Sequence, residues 1–504
     1  SLEISSGSSR WSFSCHPSED HLVLEGQVPT IDLALGVSFT LCFNNIRYLW
    51  LEMRLDLTQL DDCTRWSSYF SGYMALIPDF NPGKLVKQIL NSAEIVHASI
   101  PSGKCPLFCE SVRRLDFVVR LARLRRQGRF PAIIAEEDGL VIASKLVSAW
   151  NVLMVQDAGQ RLFVFQGVTS CDAVFIPGLN LLIIVCHITP QQILQCFREL
   201  SRTPEFFKIN RSRSFLGYLV GHSRPYHCNY DSLLALQYIQ EEGELLPEDS
   251  LFSKSDEAFI DLGAGLGLSQ QHQSRTKGAL NKMAESEDGY LLKLGFWFWC
   301  DQKPDPRSFE LASNVDNSLR QYASSDSILA TSGAMEFMEE CKPLLWVGIT
   351  GQKRRWLEQI EGTAHILNTL YEYYPNLGII FDGWTPPLTS SDYHRKEARK
   401  DNDIIQKIIK NLTFRKQGRF GVIAGLPLLE KIRVGLAVDL YMANYTTGSI
   451  NVARICQKPG VGHMSRKMAN HRSQHIHYRT REIDPLLVQD QGDLNTLAGY
   501  VDYS

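Results

Sequence analysis

The stretch Leu344-Leu345-Trp346-Val347-Gly348-Ile349-Thr350-Gly351-Gln352-Lys353-Arg354-Arg355 decides how the chain reads. Seven residues, mostly apolar, make a strand that needs burial on both faces. The chain then turns through Gly351 into three consecutive cations, and a long helical pattern follows. Apolar strands recur at Leu377 to Phe381, Phe420 to Ala424 and Asp439 to Ala443. The last opens into Asn444-Tyr445-Thr446-Thr447-Gly448-Ser449 and a helix over Ile450 to Ile455. Strand, polar turn, helix and strand in repetition is the pattern of a doubly wound nucleotide-binding sheet.

Cations are disfavoured at a helix start by the helix dipole. Lys353, Arg354 and Arg355 therefore call for an anion, and with Gly351 they suit a diphosphate held beside free helix N–H groups. Thr446, Thr447, Gly448 and Ser449 suit the same ligand, through hydroxyls and a close backbone approach. If the strands are parallel, both turns lie at one edge of the sheet. Asp382, at the end of another strand in Phe381-Asp382-Gly383-Trp384, is a candidate for ribose or sugar hydroxyls, or simply caps the Gly383 turn. The sequence Lys458-Pro459-Gly460-Val461-Gly462-His463 reads as a turn.

Upstream, Leu219-Val220-Gly221-His222-Ser223-Arg224-Pro225-Tyr226-His227-Cys228-Asn229-Tyr230-Asp231 leaves an apolar strand and enters a helix. His227 and Asp231 are four apart, so a helix puts them on one face. Either could take a proton from a hydroxyl nucleophile; Asp231 is the first choice as general base and His227 the second. A different chemistry is written in Phe259-Ile260-Asp261-Leu262-Gly263-Ala264-Gly265-Leu266-Gly267. A strand ending in this Gly-rich turn resembles the cofactor turn of S-adenosylmethionine-dependent methyltransferases, although the acidic residue expected about 20 positions on is missing.

A chain of 504 residues suggests two to four domains, and 44% hydrophobic and 21% charged residues suit sizeable cores. A net charge of −3 argues against a general nucleic-acid binder. The twelve cysteines are scattered without Cys-x-x-Cys pairs, which argues against a structural zinc site and reads as buried thiols of a reducing compartment. No run approaches the roughly 20 apolar residues of a membrane span, so the expected location is cytoplasmic. Residues 113–130 form a basic amphipathic pattern. It reads as an ordinary helix packed on a core or, alternatively, as a peripheral contact with the inner face of a membrane. No Asp-x-Asp occurs at a strand end, so no metal clamp on the diphosphate is expected, and cations would serve instead.

Period-two patterns at Phe39, Leu41, Phe43 and at Leu49 to Leu57 predict strands in an N-terminal α+β region over residues 1–130. Asn81-Pro82-Gly83 reads as a turn before a helix from Lys84 to Leu90. Short apolar runs at Ala132 to Ala135, Leu162 to Phe165 and Leu181 to Val185, with helices between and after them, predict a Rossmann-like domain over 131–335. Thr189-Pro190 caps one of those helices, and Gln270 to Gly289 reads as a polar loop or exposed helix. A second Rossmann-like domain covers 336–480, with a tail at 481–504. The fold class is thus α/β, two Rossmann-like domains facing a cleft, with an extra N-terminal α+β region.

The pattern of His227 and Asp231 followed by Asp439 through Gly448 and Asn451 resembles GT-B-type glycosyltransferases of bacterial surface-polysaccharide assembly. It is most similar to glycosyltransferase family 61 and its relatives. Tyr445-Thr446-Thr447-Gly448 stands where that family carries a His-Gly-Ala-Gly type loop. The resemblance implies a GT-B fold, a nucleotide-sugar donor, a glycan or lipid-linked glycan acceptor, and transfer without metal or other cofactor. The rival readings are a methyltransferase using Asp261–Gly267 and a non-catalytic nucleotide-binding protein.

Overall fold

In a computed structural model, the chain is described for backbone strands within residues 2–53 and 94–97. From residue 105 onward it is described except at 187, 204–205, 208–211, 297–305, 326–337, 446–448, 470–478 and 493–500. The expected turn at Asn81-Pro82-Gly83 and the helix after it lie outside the described residues.

The C-terminal half is built on a six-stranded parallel sheet. Its strands are Leu344–Gly348, Gly378–Asp382, Arg419–Val422, Leu440–Asn444, Gly460–His463 and Thr480–Glu482. Numbered along the chain, they lie in the order 3-2-1-4-5-6, the order of a dinucleotide-binding Rossmann sheet. Leu344, Trp346, Val347, Ile379, Ile380 and Phe381 are all buried, as strands covered on both faces require. Helices Gln359–Tyr373 and Asp392–Lys410 cover one face and Leu428–Ala437 the other.

A four-stranded parallel sheet organises the middle of the chain, from Ser214–Leu219, Leu251–Lys254, His272–Arg275 and Gly289–Lys293. Its order, 3-2-1-4, repeats the first four positions of the larger sheet. The fold class is therefore α/β with two Rossmann-like units. Helix Pro306–Ala323 joins them. Its stripe Leu311, Ala312, Val315 and Leu319 falls at helical spacing and is buried. One apolar cluster runs from Tyr218 and Leu292 through this helix to Leu428, Ile432 and Ile455, so a continuous core links the halves.

Two expectations fail. First, the runs at Leu162 to Phe165 and Leu181 to Val185 are not βα units. They belong to a seven-stranded sheet, antiparallel except where Leu181–Ile184 pairs with Glu94–His97. Ala132 to Ala135 form a loop, because Asp157 accepts the N–H groups of Ile133, Ile134 and Ala135. Apolar length alone does not separate a buried meander from a parallel strand. Second, Lys458 to His463, read as a turn, carries the strand Gly460–His463. Gln270 to Gly289, read as a loop or exposed helix, holds the helix Lys277–Ser286, capped by Thr276, and also a strand. The basic stretch 113–130, by contrast, is the ordinary core-packed helix of the first reading. Phe117, Val118, Val119, Leu121 and Ala122 of helix Asp116–Leu124 are buried in the core. Arg120, Arg123 and Arg126 meet Asp138, Glu244 and Glu248, and buried Arg125 meets Asp249 at 2.5 Å. Among the described residues no helix is long and apolar enough to cross a membrane.

Other expectations stand. Strands Val37–Phe43 and Ile46–Met53 pair antiparallel, with Phe39 opposite Leu51 and Leu41 opposite Leu49. Helix Pro190–Ser201 starts at Thr189, whose side chain and that of Gln192 form a capping box.

Candidate active site between the two sheets

A doubly wound sheet binds ligands where its strand order reverses, beyond the C-terminal ends of its strands. In the C-terminal half that point lies between Leu344–Gly348 and Leu440–Asn444, which pair directly. The loops leaving them are the Lys-Arg-Arg turn and Tyr445 to Ser449. In the middle unit it lies between Ser214–Leu219 and Gly289–Lys293, and the loop is Val220 to Arg224. Loops from the two C-terminal edges meet: the N–H of Leu388 donates to the carbonyl of Ala258 at 2.8 Å. Lys353 and Arg224, one from each side, lie close enough for Arg224 to lower the Lys353 pKa.

On the middle-unit side, Pro225 starts a helical turn that passes into a π-helix, Cys228–Leu233. His227 Nδ1 lies 2.7 Å from Asp231 Oδ2. An ionised carboxylate can only accept, so Nδ1 is the donor in this contact. The His227 side chain is 21% exposed and that of Asp231 2%. The histidine is thus the more exposed of the pair, with the carboxylate, the first choice as base from the sequence, behind it. The His222 ring lies 4.7 Å from that of His227 and accepts the N–H of Arg224 at Nδ1, 3.0 Å away. Burial, then His227 and the cations Lys293, Arg224 and Lys254, push the His222 pKa well below the usual range, so it is neutral. Lys293 ends its strand buried, its amine on the Gly221 carbonyl and 3.8 Å from Glu257.

Across the cleft, the basic turn is held from below. Asp401 of helix Asp392–Lys410 accepts the N–H of Gly351 at 2.9 Å and of Trp384 at 2.6 Å. Burial raises its pKa to about 6. Gln359 brackets Thr350, accepting its N–H and donating to its carbonyl. Arg354 takes a left-handed backbone, φ 56°, and its carbonyl accepts from Asn444 at 2.6 Å. Lys353 is partly buried; burial, Arg224 and Arg354 lower its pKa to about 8.

The other proposed ligand contacts divide. Arg355 is half-exposed and paired with Asp502: its guanidinium lies 2.7 Å from that carboxylate and its N–H donates to it. Asp382 is withdrawn into a buried pair with Lys431 at 2.6 Å, which corrects the expectation of a ribose contact. Lys431 also donates to the carbonyls of Gly383 and Trp384, so the pair shapes the Gly383 turn. Thr446, Thr447 and Gly448 lie outside the described residues. Ser449 is fully buried at the start of the π-helix Ile450–Ile455. The Gly-rich Asp261 segment is a short helix, Leu262–Leu266, rather than a strand-end turn; Asp261 caps it by accepting from Ala264 at 3.0 Å.

Sequence reasoning missed His222, Arg224, Lys293 and Asp401. Arg224 and His222 lay inside the quoted motif. Lys293 could have been found as a lone charge in the apolar strand Tyr290-Leu291-Leu292-Lys293-Leu294. Asp401 reads as solvated because its helix is rich in charge.

The fold and cleft thus define an α/β protein with two Rossmann-like units whose loops converge on a cationic and imidazole-lined site. No family model matches the chain, and no curated protein does. Similar solved structures include a glycosyl transferase family 9 protein from Veillonella parvula, at 13% identity over 50% of this chain and 80% of that one, TM-score 0.28. Another is S. aureus MnaA solved with UDP, at 14% identity, 55% and 61% coverage, TM-score 0.25. A third is the UDP-GlcNAc 2-epimerase from Methanocaldococcus jannaschii, at 9% identity, 60% and 74% coverage, TM-score 0.24. Scores this low carry no argument, and the fold class rests on the strand orders given above.

Proposed function

We propose that the protein is a glycosyltransferase that moves a sugar from a nucleotide-sugar donor to a hydroxyl of a glycan or lipid-linked glycan. The observation that carries this reading is the convergence of Arg224 and Lys353 from opposite sides of the cleft, beside the His227–Asp231 pair. Cations that face each other across a cleft favour an anion between them. A diphosphate at the strand-order reversal is that anion. His227 Nε2 takes the acceptor hydroxyl proton as the oxygen bonds to the sugar's anomeric carbon. The bond from that carbon to the diphosphate breaks, and Lys353 and Arg224 meet the leaving charge. Asp231 orients the ring and stabilises its protonated form. Thr446, Thr447 and Gly448 give further phosphate contacts in this reading, and Arg354 a second cation from the turn. A place in surface-polysaccharide assembly, as the family resemblance implies, belongs to the same proposal.

Thermal-shift screening against nucleotides and nucleotide sugars, followed by turnover assays, tests it. A uridine or guanosine diphosphate should raise the melting temperature. His227→Ala should cut turnover by about 10²–10⁴ while leaving nucleotide affinity unchanged. Failure of every nucleotide to bind, or undiminished turnover in His227→Ala, would sink the reading.

A further inference from the structure

Each Rossmann-like unit carries a π-helix directly after its cleft loop, Cys228–Leu233 in one and Ile450–Ile455 in the other. π-Helices are rare and cluster at functional sites. These two are joined side chain to side chain. The Arg454 guanidinium lies over the Tyr230 ring at 4.2 Å. Asp316, on the joining helix, accepts from Tyr230 Oη at 2.7 Å and from Arg454 Nε at 3.1 Å. Arg320, one turn further along, donates to the carbonyl of Ile455. Tyr230, Asp316 and Arg454 are 0%, 4% and 2% exposed.

A buried ion pair is poor as mere glue, since apolar residues of similar volume stabilise a core as well or better. What it adds is one fixed geometry: a flat guanidinium stacked on a ring, with both bonded to one carboxylate. The residue after Tyr230 is Asp231. The π-helix carrying Arg454 begins where the Tyr445 to Ser449 loop ends. A rotation of one unit on the other would break this node and change the distance from His227 to Lys353.

We infer that Tyr230, Asp316 and Arg454 are positioning residues that hold the imidazole side of the cleft in register with the cationic side. The effect on turnover rests on the glycosyl-transfer reading; the effect on geometry does not. The test uses the full chain with fluorophores placed through noncanonical amino acids at Lys282 and Lys407, both exposed and one on each unit. Tyr230→Phe removes a single oxygen and keeps the fold; Asp316→Asn and Arg454→Met remove more. The distribution of distances between labels should broaden in all three. Turnover should fall by about 10-fold or more, with KM for the donor little changed, since misplacement by about 1 Å can cost 10²-fold in rate. Distances as narrow as the parent's in all three variants, with only a lowered melting temperature, would overturn the inference. Broadened distances in a protein whose parent shows no transfer would count against the glycosyl-transfer reading alone.

Discussion

Lys353 should make diphosphate binding sensitive to alkali. Its pKa is lowered from 10.5 to about 8 by burial, Arg224 and Arg354. A bound dianion favours the charged amine and lifts that value back. Binding therefore takes up a proton above pH 8, and affinity falls as pH rises through the free value. The whole depression corresponds to at most about 3.4 kcal/mol; water on the open side of this partly exposed amine screens it to roughly 1–2 kcal/mol, or about 5–30-fold in affinity. Titration calorimetry with UDP at about pH 7.5 and 9.5 reads this directly, because a phosphate with a second pKa of about 6 is already ionised at both. Repeating the high-pH titration in buffers of different ionisation enthalpy counts the proton. Lys353→Met should bind more weakly at pH 7.5 and lose the pH dependence. An equal pH dependence in parent and variant, or no proton uptake, would refute the convergence of cations on the ligand.

Other expectations concern the scaffold around the cleft. Lys431→Met leaves Asp382 buried and unpaired and should cost about 3–5 kcal/mol in urea unfolding; a loss of a few tenths would mean water reaches the carboxylate. Asp261→Ala should cost about 1 kcal/mol as a lost helix cap and leave turnover intact. Calorimetric binding of S-adenosylmethionine that this change abolishes would instead favour the methyltransferase reading. Burial holds His463 neutral, its pKa lowered to about 4. The unfolded chain then binds the extra proton first, so stability is full above about pH 6.5 and is lost as pH falls toward 4. His463→Gln should flatten that part of the melting-temperature profile, and an unchanged slope would assign it to other groups.

The C-terminal sheet was readable because its strands are short apolar runs separated by helical spacing, and Leu344 to Val347 has no polar face to confuse the period. The meander around Trp150–Asp157 was not readable, because strands buried on both faces lose their alternation whether parallel or antiparallel. At the site, the four-residue spacing of His227 and Asp231 predicted their contact. Which of them is the more exposed is set by tertiary packing, which leaves no trace in residue type. Charge misled in both directions. Arg355 and Asp382 sit in the right loops but are consumed by Asp502 and Lys431, partners distant in sequence. Asp401, in a charge-rich helix where no single carboxylate stands out, anchors both the Gly351 and Gly383 turns.

The clamp on the basic turn also sets an order of assembly. Arg355 is bonded to Asp502, 147 positions later, and strand Asp502–Tyr503 exchanges backbone hydrogen bonds with Arg355 and Leu357. Tyr503 Oη further joins His463 and Asn444 beneath the turn. On a ribosome adding about 5–20 residues per second, this partner emerges roughly ten seconds after the turn itself. The strands Leu344–Gly348 and Leu440–Asn444 can pair before then, but the turn cannot take its final shape. The central strands of the sheet can thus pair well before the basic turn is clamped, while the last strand, Thr480–Glu482, emerges only shortly before the clamp.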